Sequence, residues 1–173
     1  MKLILLTSPT VEPITVAEAK THSRIFGNND DDYLTGLISA ARQKWETETG
    51  FLIAAAQYQA MVPQCGRAVT LPVRPVTSID EVKLAETTLA EDTDYTVSVD
   101  LQTGEATITL LTSSVGDLSV TFTVGDNVPM LAKHAIKTLV AHWYENREAY
   151  DTGSQIRSVP ATYQSIVTNF RKA

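Results

Sequence analysis

Residues 30–62, DDDYLTGLISAARQKWETETGFLIAAAQYQAMV, carry two periodicities in succession, and the change between them decides the fold. Leu34, Leu37, Ile38, Ala41 and Trp45 follow the i, i+3, i+4, i+7, i+11 stripe of an amphipathic helix. Asp30, Asp31 and Asp32 supply acceptors and negative charge at its positive end, and Gly50 sits where a C-terminal cap belongs. Beyond Phe51 the period falls to two: Tyr58, Ala60 and Val62 alternate with Gln57, Gln59 and Met61, the signature of a strand with one dry face.

Upstream, Thr15-Val16-Ala17-Glu18 fits a capping box that opens a short helix, closed by Gly27-Asn28-Asn29. Downstream, Val69 and Leu71 precede a Pro-Val-Arg-Pro-Val break at 72–76. Tyr95/Val97/Val99, Ala106/Ile108/Leu110 and Leu118/Val120/Phe122/Val124 then read as three one-faced strands. Leu101-Gln102-Thr103-Gly104 is hairpin chemistry, so these strands are expected to run as an antiparallel meander. Pro129 suits a helix start, and Ala132, Ala135, Ile136, Leu139 and Trp143 repeat the helical stripe to about Glu148. Tyr150–Ser158 reads as a polar loop before a last short helix with Tyr163, Ile166, Val167 and Phe170 on its apolar face. The expectation is an α+β fold: a helical body of a short helix, two long helices and a short C-terminal helix, with an antiparallel β-strand insertion between the long helices. Its boundaries are 1–54 and 127–173 for the two parts of the body and 55–126 for the insertion. Trp45 and Trp143 are both expected to anchor the core.

Composition narrows the function. The 173 residues suffice for one domain with its own core, and the single cysteine, Cys65, excludes an internal disulfide framework and suits a reducing cytosol. Leu3–Leu6 is too short for a signal core or a membrane span. The net charge of −6 has the wrong sign for affinity built on phosphate neutralisation. It is uneven: residues 51–128 hold 3 basic and 10 acidic groups, residues 129–173 hold 6 and 3.

No residue pattern supports catalysis. Cys65 lacks a local base to make it a nucleophile. His134 and His142 are eight residues apart rather than the four that stack two zinc ligands, and His142 with Glu145 supplies only two ligands. Asn28, Asp30 and Asp32 open like a calcium loop, but Tyr33 and Ser39 stand where glycine and a bidentate glutamate are needed. No cofactor is expected. The rival from another class is a small cytosolic enzyme or ligand-binding α+β protein using Cys65 or His142.

Taken in order, Ile14-Thr15-Val16-Ala17-Glu18-Ala19-Lys20, Asp31-Asp32, Leu37-Ile38-Ser39-Ala40-Ala41-Arg42, Glu46 and Gly50 form a familiar pattern. It continues through Leu71-Pro72-Val73-Arg74-Pro75-Val76-Thr77-Ser78-Ile79, Val128-Pro129, Ala135-Ile136, Leu139-Val140-Ala141, Tyr144-Glu145-Asn146-Arg147-Glu148-Ala149, Pro160 and Phe170-Arg171. The whole resembles the head-tail connector (adaptor) family of long-tailed phages. The resemblance implies a non-enzymatic virion subunit, made in the host cytoplasm, that forms a ring in the neck beneath the twelvefold portal. It implies three further partners: the portal, the next tail-side neck protein, and DNA passing through the lumen without sequence-specific binding. No membrane is implied. Another neck or tail-completion subunit is the runner-up.

The family holds the portal partly through its C-terminal segment, here Pro160–Ala173. The residues agree, with an apolar face (Tyr163, Ile166, Val167, Phe170) that lacks an evident partner and a basic end (Arg171, Lys172). On that reading the segment is dispensable for folding, and a chain cut after Val159 stays folded. The absence of any nucleophile, base or ligand set generates a first prediction. Elemental analysis of the purified protein is expected to find no stoichiometric zinc or calcium, and one tightly held ion per chain would contradict it.

Overall fold

A computed structural model describes residues 1–101, 103–112, 116–125, 128–147 and 159–171. They fall into two compact units, a β unit (1–11 and 52–127) and a helical unit (12–51 and 128–173). The expected polar loop at 150–158 lies outside the described residues.

The β unit holds strands β1 (Lys2–Thr7), β2 (Ala56–Cys65), β3 (Ala68–Thr70), β4 (Val76–Leu84), β5 (Thr87–Thr88), β6 (Tyr95–Val99), β7 (Ala106–Leu110) and β8 (Gly116–Val124). They form a five-stranded sheet, β1-β2-β8-β4-β5, and a three-stranded sheet, β3-β7-β6, in which every strand pairing is antiparallel. The dry faces share one core. Ala60, Val82, Leu118, Val120, Phe122 and Val124 come from the larger sheet, and Val69, Tyr95, Ala106, Ile108 and Leu110 from the smaller.

The hairpin expected at 101–104 joins β6 to β7. Gly104, at φ +73°, donates its amide to the Asp100 carbonyl at 2.7 Å. The meander does not continue. β8 leaves β7 and enters the other sheet between β2 and β4. Alternation fixes which face of a strand is dry but not its neighbour, and β8 is dry on one face from Leu118 to Val124.

The first eleven residues also depart from expectation. Instead of belonging to the helical body, Lys2–Leu5 pair with Met61–Tyr58 as an edge strand of the β unit. Leu3-Ile4-Leu5-Leu6 shows no alternation, so period two could not reveal it. A left-handed glycine closes the unit: at Gly125, φ +81°, a Cβ would stand 2.4 Å from the Ala54 carbonyl oxygen.

The helical unit comprises α1 (Val16–Ser23), α2 (Asp31–Thr49), α3 (Met130–Glu145) and α4 (Ala161–Phe170). The Thr15/Glu18 capping box is formed, with the Glu18 amide donating to Thr15 Oγ1 at 3.1 Å and the Thr15 amide to Glu18 Oε2 at 2.9 Å. Gly50 caps α2 in the left-handed conformation. Asp30 occupies the N-cap position of α2 without a side-chain cap bond, because its carboxylate is engaged elsewhere. α3 stops at Glu145, short of Glu148.

Trp45 is wholly buried among Leu34, Ile38 and Ala41 of α2, Ala132, Ala135, Ile136, Leu139 and Val140 of α3, and Tyr163, Ile166 and Val167 of α4. Trp143 is only half-buried, so it is not the matching anchor. Arg42 is nearly buried too, its guanidinium donating to Glu12 at 2.8 Å and Glu46 at 2.7 Å.

Trp45→Ala is expected to cost about 3–5 kcal/mol in denaturant unfolding, whereas Trp143→Ala should cost clearly less.

Candidate functional site

The residues singled out by sequence for partner binding converge on α4. Its start is set by Pro160, whose fixed φ (−52°) suits a helix entry. One face then carries Tyr163, Ile166 and Val167, and the structure buries all three, at 1%, 8% and 2% exposure, within the helical unit. Phe170 is half-buried, edge-on to Trp45 (centroids 5.0 Å apart) and to Phe51 (5.4 Å). The expectation of an apolar face without an internal partner is therefore corrected. The face completes the subunit's own core, because α2 and α3 leave Trp45 to be covered from this side. The matching expectation, that the chain folds without this segment, falls with it. Arg171 is exposed, and Lys172 lies outside the described residues.

A polar clamp fixes the helix. Tyr163 donates its hydroxyl to Glu48 Oε2 at 2.9 Å while Lys44 donates to Glu48 Oε1 at 2.6 Å. Partial burial pushes the Glu48 carboxyl up, but the bonds from Lys44 and Tyr163 and the charges of Lys44 and Arg171 outweigh it and hold it below its ordinary range. Burial, then the bond to Glu48 and its charge, push the Tyr163 phenol well above its usual value. The outward side of α4 offers Thr162, Gln164, Ser165, Thr168 and Asn169, followed by Arg171. It is a polar surface with a cationic end.

A second cluster was not legible as a site. Tyr144 donates to Asp30 Oδ2 at 2.6 Å and Arg147 reaches Asp30 Oδ1 at 3.2 Å. The Arg147 guanidinium lies 4.5 Å from the Tyr33 ring centroid and 4.9 Å from that of Tyr144. The bonds from Tyr144 and Arg147 hold the Asp30 carboxyl below its ordinary range. The cluster ties the end of α3 to the start of α2. Its only sequence trace is Tyr144 and Arg147 three apart at a helix end, which does not identify their acidic partner.

The catalytic rivals find no support. Cys65 is buried, burial pushes its thiol up, and its Sγ donates to the Gly66 carbonyl at 3.0 Å. His142 accompanies Asn146 rather than a ligand set, and among the described residues no three potential ligands come together for a metal. Asn28 accepts from Lys20 at 2.8 Å and Asp31 pairs with the same Lys20. With Asp30 held by Tyr144 and Arg147, Asn28 and Asp30 of the would-be calcium loop serve as ties within the helical unit. No helix among the described residues is long and apolar enough to cross a membrane. The β unit holds 4 basic and 10 acidic groups, so the whole net charge of −6 resides there.

Over residues 13–110 the chain matches the family described as "Phage gp6-like head-tail connector protein". Three solved chains are similar in fold. One, from "Neck of empty GTA particle computed with C6 symmetry", has 21% identity and a TM-score of 0.80. Another, from "Virion of native gene transfer agent (GTA) particle", has 21% and 0.79, and one from "Neck of native GTA particle computed with C12 symmetry" has 22% and 0.77. In each case the match covers 100% of this chain and 96% of the other. No curated protein matches the sequence.

Tyr163→Phe removes the bond to Glu48 and is expected to lower stability by about 1.5 kcal/mol at neutral pH. The clamp's contribution has two edges. The depressed Glu48 stabilises above its unfolded pKa near 4.5 and loses that effect as pH falls through its lower folded value. The raised Tyr163 stabilises below its unfolded value near 10 and loses that effect as pH climbs beyond it. Thermal unfolding of both proteins between pH 3 and 11 should show the difference between them narrowing at the acid end, and the variant should lose less stability above pH 10.

Proposed function

The chain belongs to the phage gp6-like head-tail connector family, and from that premise we propose the manner in which it serves the virion neck. It is a structural subunit that joins head to tail, repeated as a closed ring in register with a twelvefold portal. The family match over 13–110 carries this reading, and the likeness to chains from GTA necks solved with C6 and C12 symmetry supports it. The ring stands between the portal and the next tail-side neck protein, and DNA passes through it without being read.

The charge distribution suits that passage. A ring whose cations were massed on the lumen would hold phosphate and resist movement. This chain pairs at least six of its twelve described Lys and Arg side chains with carboxylates of its own, as at Arg42, Lys44, Lys137 and Arg147, and concentrates its excess of carboxylates in the β unit. We read the β unit as a lobe inserted between the two long helices, with its edge strand lent by the first eleven residues.

The portal-facing end is assigned to the segment Pro160–Ala173, in a form adjusted to the packing of α4. Tyr163, Ile166, Val167 and Phe170 hold the helix on its own subunit, and the basic pair that follows it in sequence, Arg171 and Lys172, supplies the charge contacts for the portal. Anchoring the helix this way reduces the ordering cost of docking, and repetition around a ring multiplies a weak contact into a firm one.

Arg171→Gln combined with Lys172→Gln, which removes the positive charge without setting a second carboxylate near Glu48, is expected to lower the melting temperature only slightly, while sharply reducing occupancy on portal-bearing heads, measured by quantitative mass spectrometry of purified particles. Cutting the chain after Val159 should instead unfold the helical unit, since it strips three buried side chains worth about 1.5–3 kcal/mol each from around Trp45.

A further inference from the structure

Phe26 is an aromatic side chain that neither core employs. It is 94% exposed, yet the backbone that carries it is firmly held. Arg24 closes α1 in the left-handed conformation, and the Ile25 amide donates to the Lys20 carbonyl at 3.0 Å, leaving Ile25 half-buried and Phe26 outside. Gly27, at φ +84°, turns the chain again. Lys20 Nζ then donates to Asn28 Oδ1 at 2.8 Å and pairs with Asp31, so one side chain ties both ends of the loop. An aromatic presented on a pre-ordered loop has the form of an interface anchor, because its ordering cost is met before any partner arrives. Arg24 is the only charged residue from Ser23 to Asn29 and is exposed.

The β unit offers a complementary shape. A groove of about 510 Å³ opens on the larger sheet, with Met61, Pro63, Ala85 and Leu118 as its apolar lining and the carboxylates of Glu86 and Asp117 beside them. Lys83 lines it too, but is neutralised by Glu81 at 2.7 Å. Backbone strain gathers here. Gln64, Ala85 and Glu86 have φ of 48°, 47° and 70°, a conformation that favours glycine. Ala85-Glu86 is the two-residue turn between β4 and β5, a place that Asn-Gly fills with far less strain. Asp117 pins both sides, its carbonyl accepting from the Ala85 amide at 3.0 Å and its Oδ1 from the Gln64 amide at 3.0 Å. Strain held in place by such bonds is characteristic of binding sites, and here it sets a methyl group and a carboxylate in the groove wall.

A ring needs two different, complementary surfaces on every subunit. This chain has an aromatic knob beside a cation on its helical unit, and an apolar groove beside two carboxylates on a β unit that holds the whole net charge of −6. We infer that the ring contact seats Phe26 of one copy in the groove of the next, against Met61 and Leu118, with Arg24 facing Glu86 and Asp117. This rests on the ring reading and specifies its interface. Each anchor is a small contact, which closure of the ring repeats and multiplies.

The test uses the full-length chain, free and on portal-bearing heads. A chain carrying p-benzoylphenylalanine at position 26 is mixed with 15N-labelled ordinary chain and irradiated, and the expected link joins position 26 to Met61 or a neighbouring groove residue of a labelled chain. Phe26→Ala should lower ring yield about tenfold at fixed concentration with melting unchanged. Arg24→Glu should also lower it, and adding Glu86→Arg should recover much of the loss. Glu86→Gly separates docking from architecture: relieving the turn should raise the melting temperature while weakening the ring, whereas a groove with no partner would gain stability and lose nothing. Rings that form at wild-type yield with Phe26→Ala and with Glu86→Gly overturn the knob and groove and leave the ring reading standing. A link from position 26 within its own chain or to the portal does the same. No oligomer in either setting overturns both.

Discussion

Strand β8 is the member on which the β unit depends. It pairs with β2 from Ala56 to Cys65 on one side and with β4 from Val76 to Leu84 on the other, and it alone joins them. Every second residue of β8 from Leu118 to Val124 is buried, so its pairing and its packing are satisfied together or lost together. The cost is sequence distance. β2 must wait for a partner some fifty residues later, and non-local pairing of that kind slows folding relative to local hairpins. The β6–β7 hairpin, closed by Asp100 and Gly104, is the local element that can form early and hold the second face of the core in place.

The helical unit solves a different problem. Three helices converge on Trp45, and each long polar side chain near it is neutralised by a neighbour: Arg42 by Glu12 and Glu46, Glu48 by Lys44 and Tyr163. Burying such groups is tolerable only with their bonds made, and the same bonds fix how α4 lies. In the portal contact proposed above, a helix held this firmly would meet its partner as a rigid surface, with its cost of ordering already met during folding.

How much of this was legible in the sequence depended on range. Elements set by local chemistry were readable: the Thr15/Glu18 box, the Asp31–Thr49 helix with its Gly50 cap, and the Gly104 turn. Elements set by partners were not. Lys2–Thr7 has no alternation to mark it as a strand, β8 has no sequence feature that selects β2 and β4 over β7, and Asp30 looks like a cap until Tyr144 and Arg147 are seen to claim it. α4 shows the same limit. Its apolar stripe was plain, but a stripe says only that something covers it, and here the cover is Trp45 and its neighbours.

The division of the β unit between the first eleven residues and residues 52–127 also orders events in time. During synthesis at about 5–20 residues per second, β1 leaves the ribosome several seconds before β2, and longer still before β8. Its apolar run is then an unpaired strand with the whole of α1 and α2 still to be made. Neighbouring ribosomes on one message hold several such strands close together. A strand that must wait for β2 while two helices are made is a segment through which nascent chains would find each other too soon, and chaperone demand should concentrate on Leu3–Leu6.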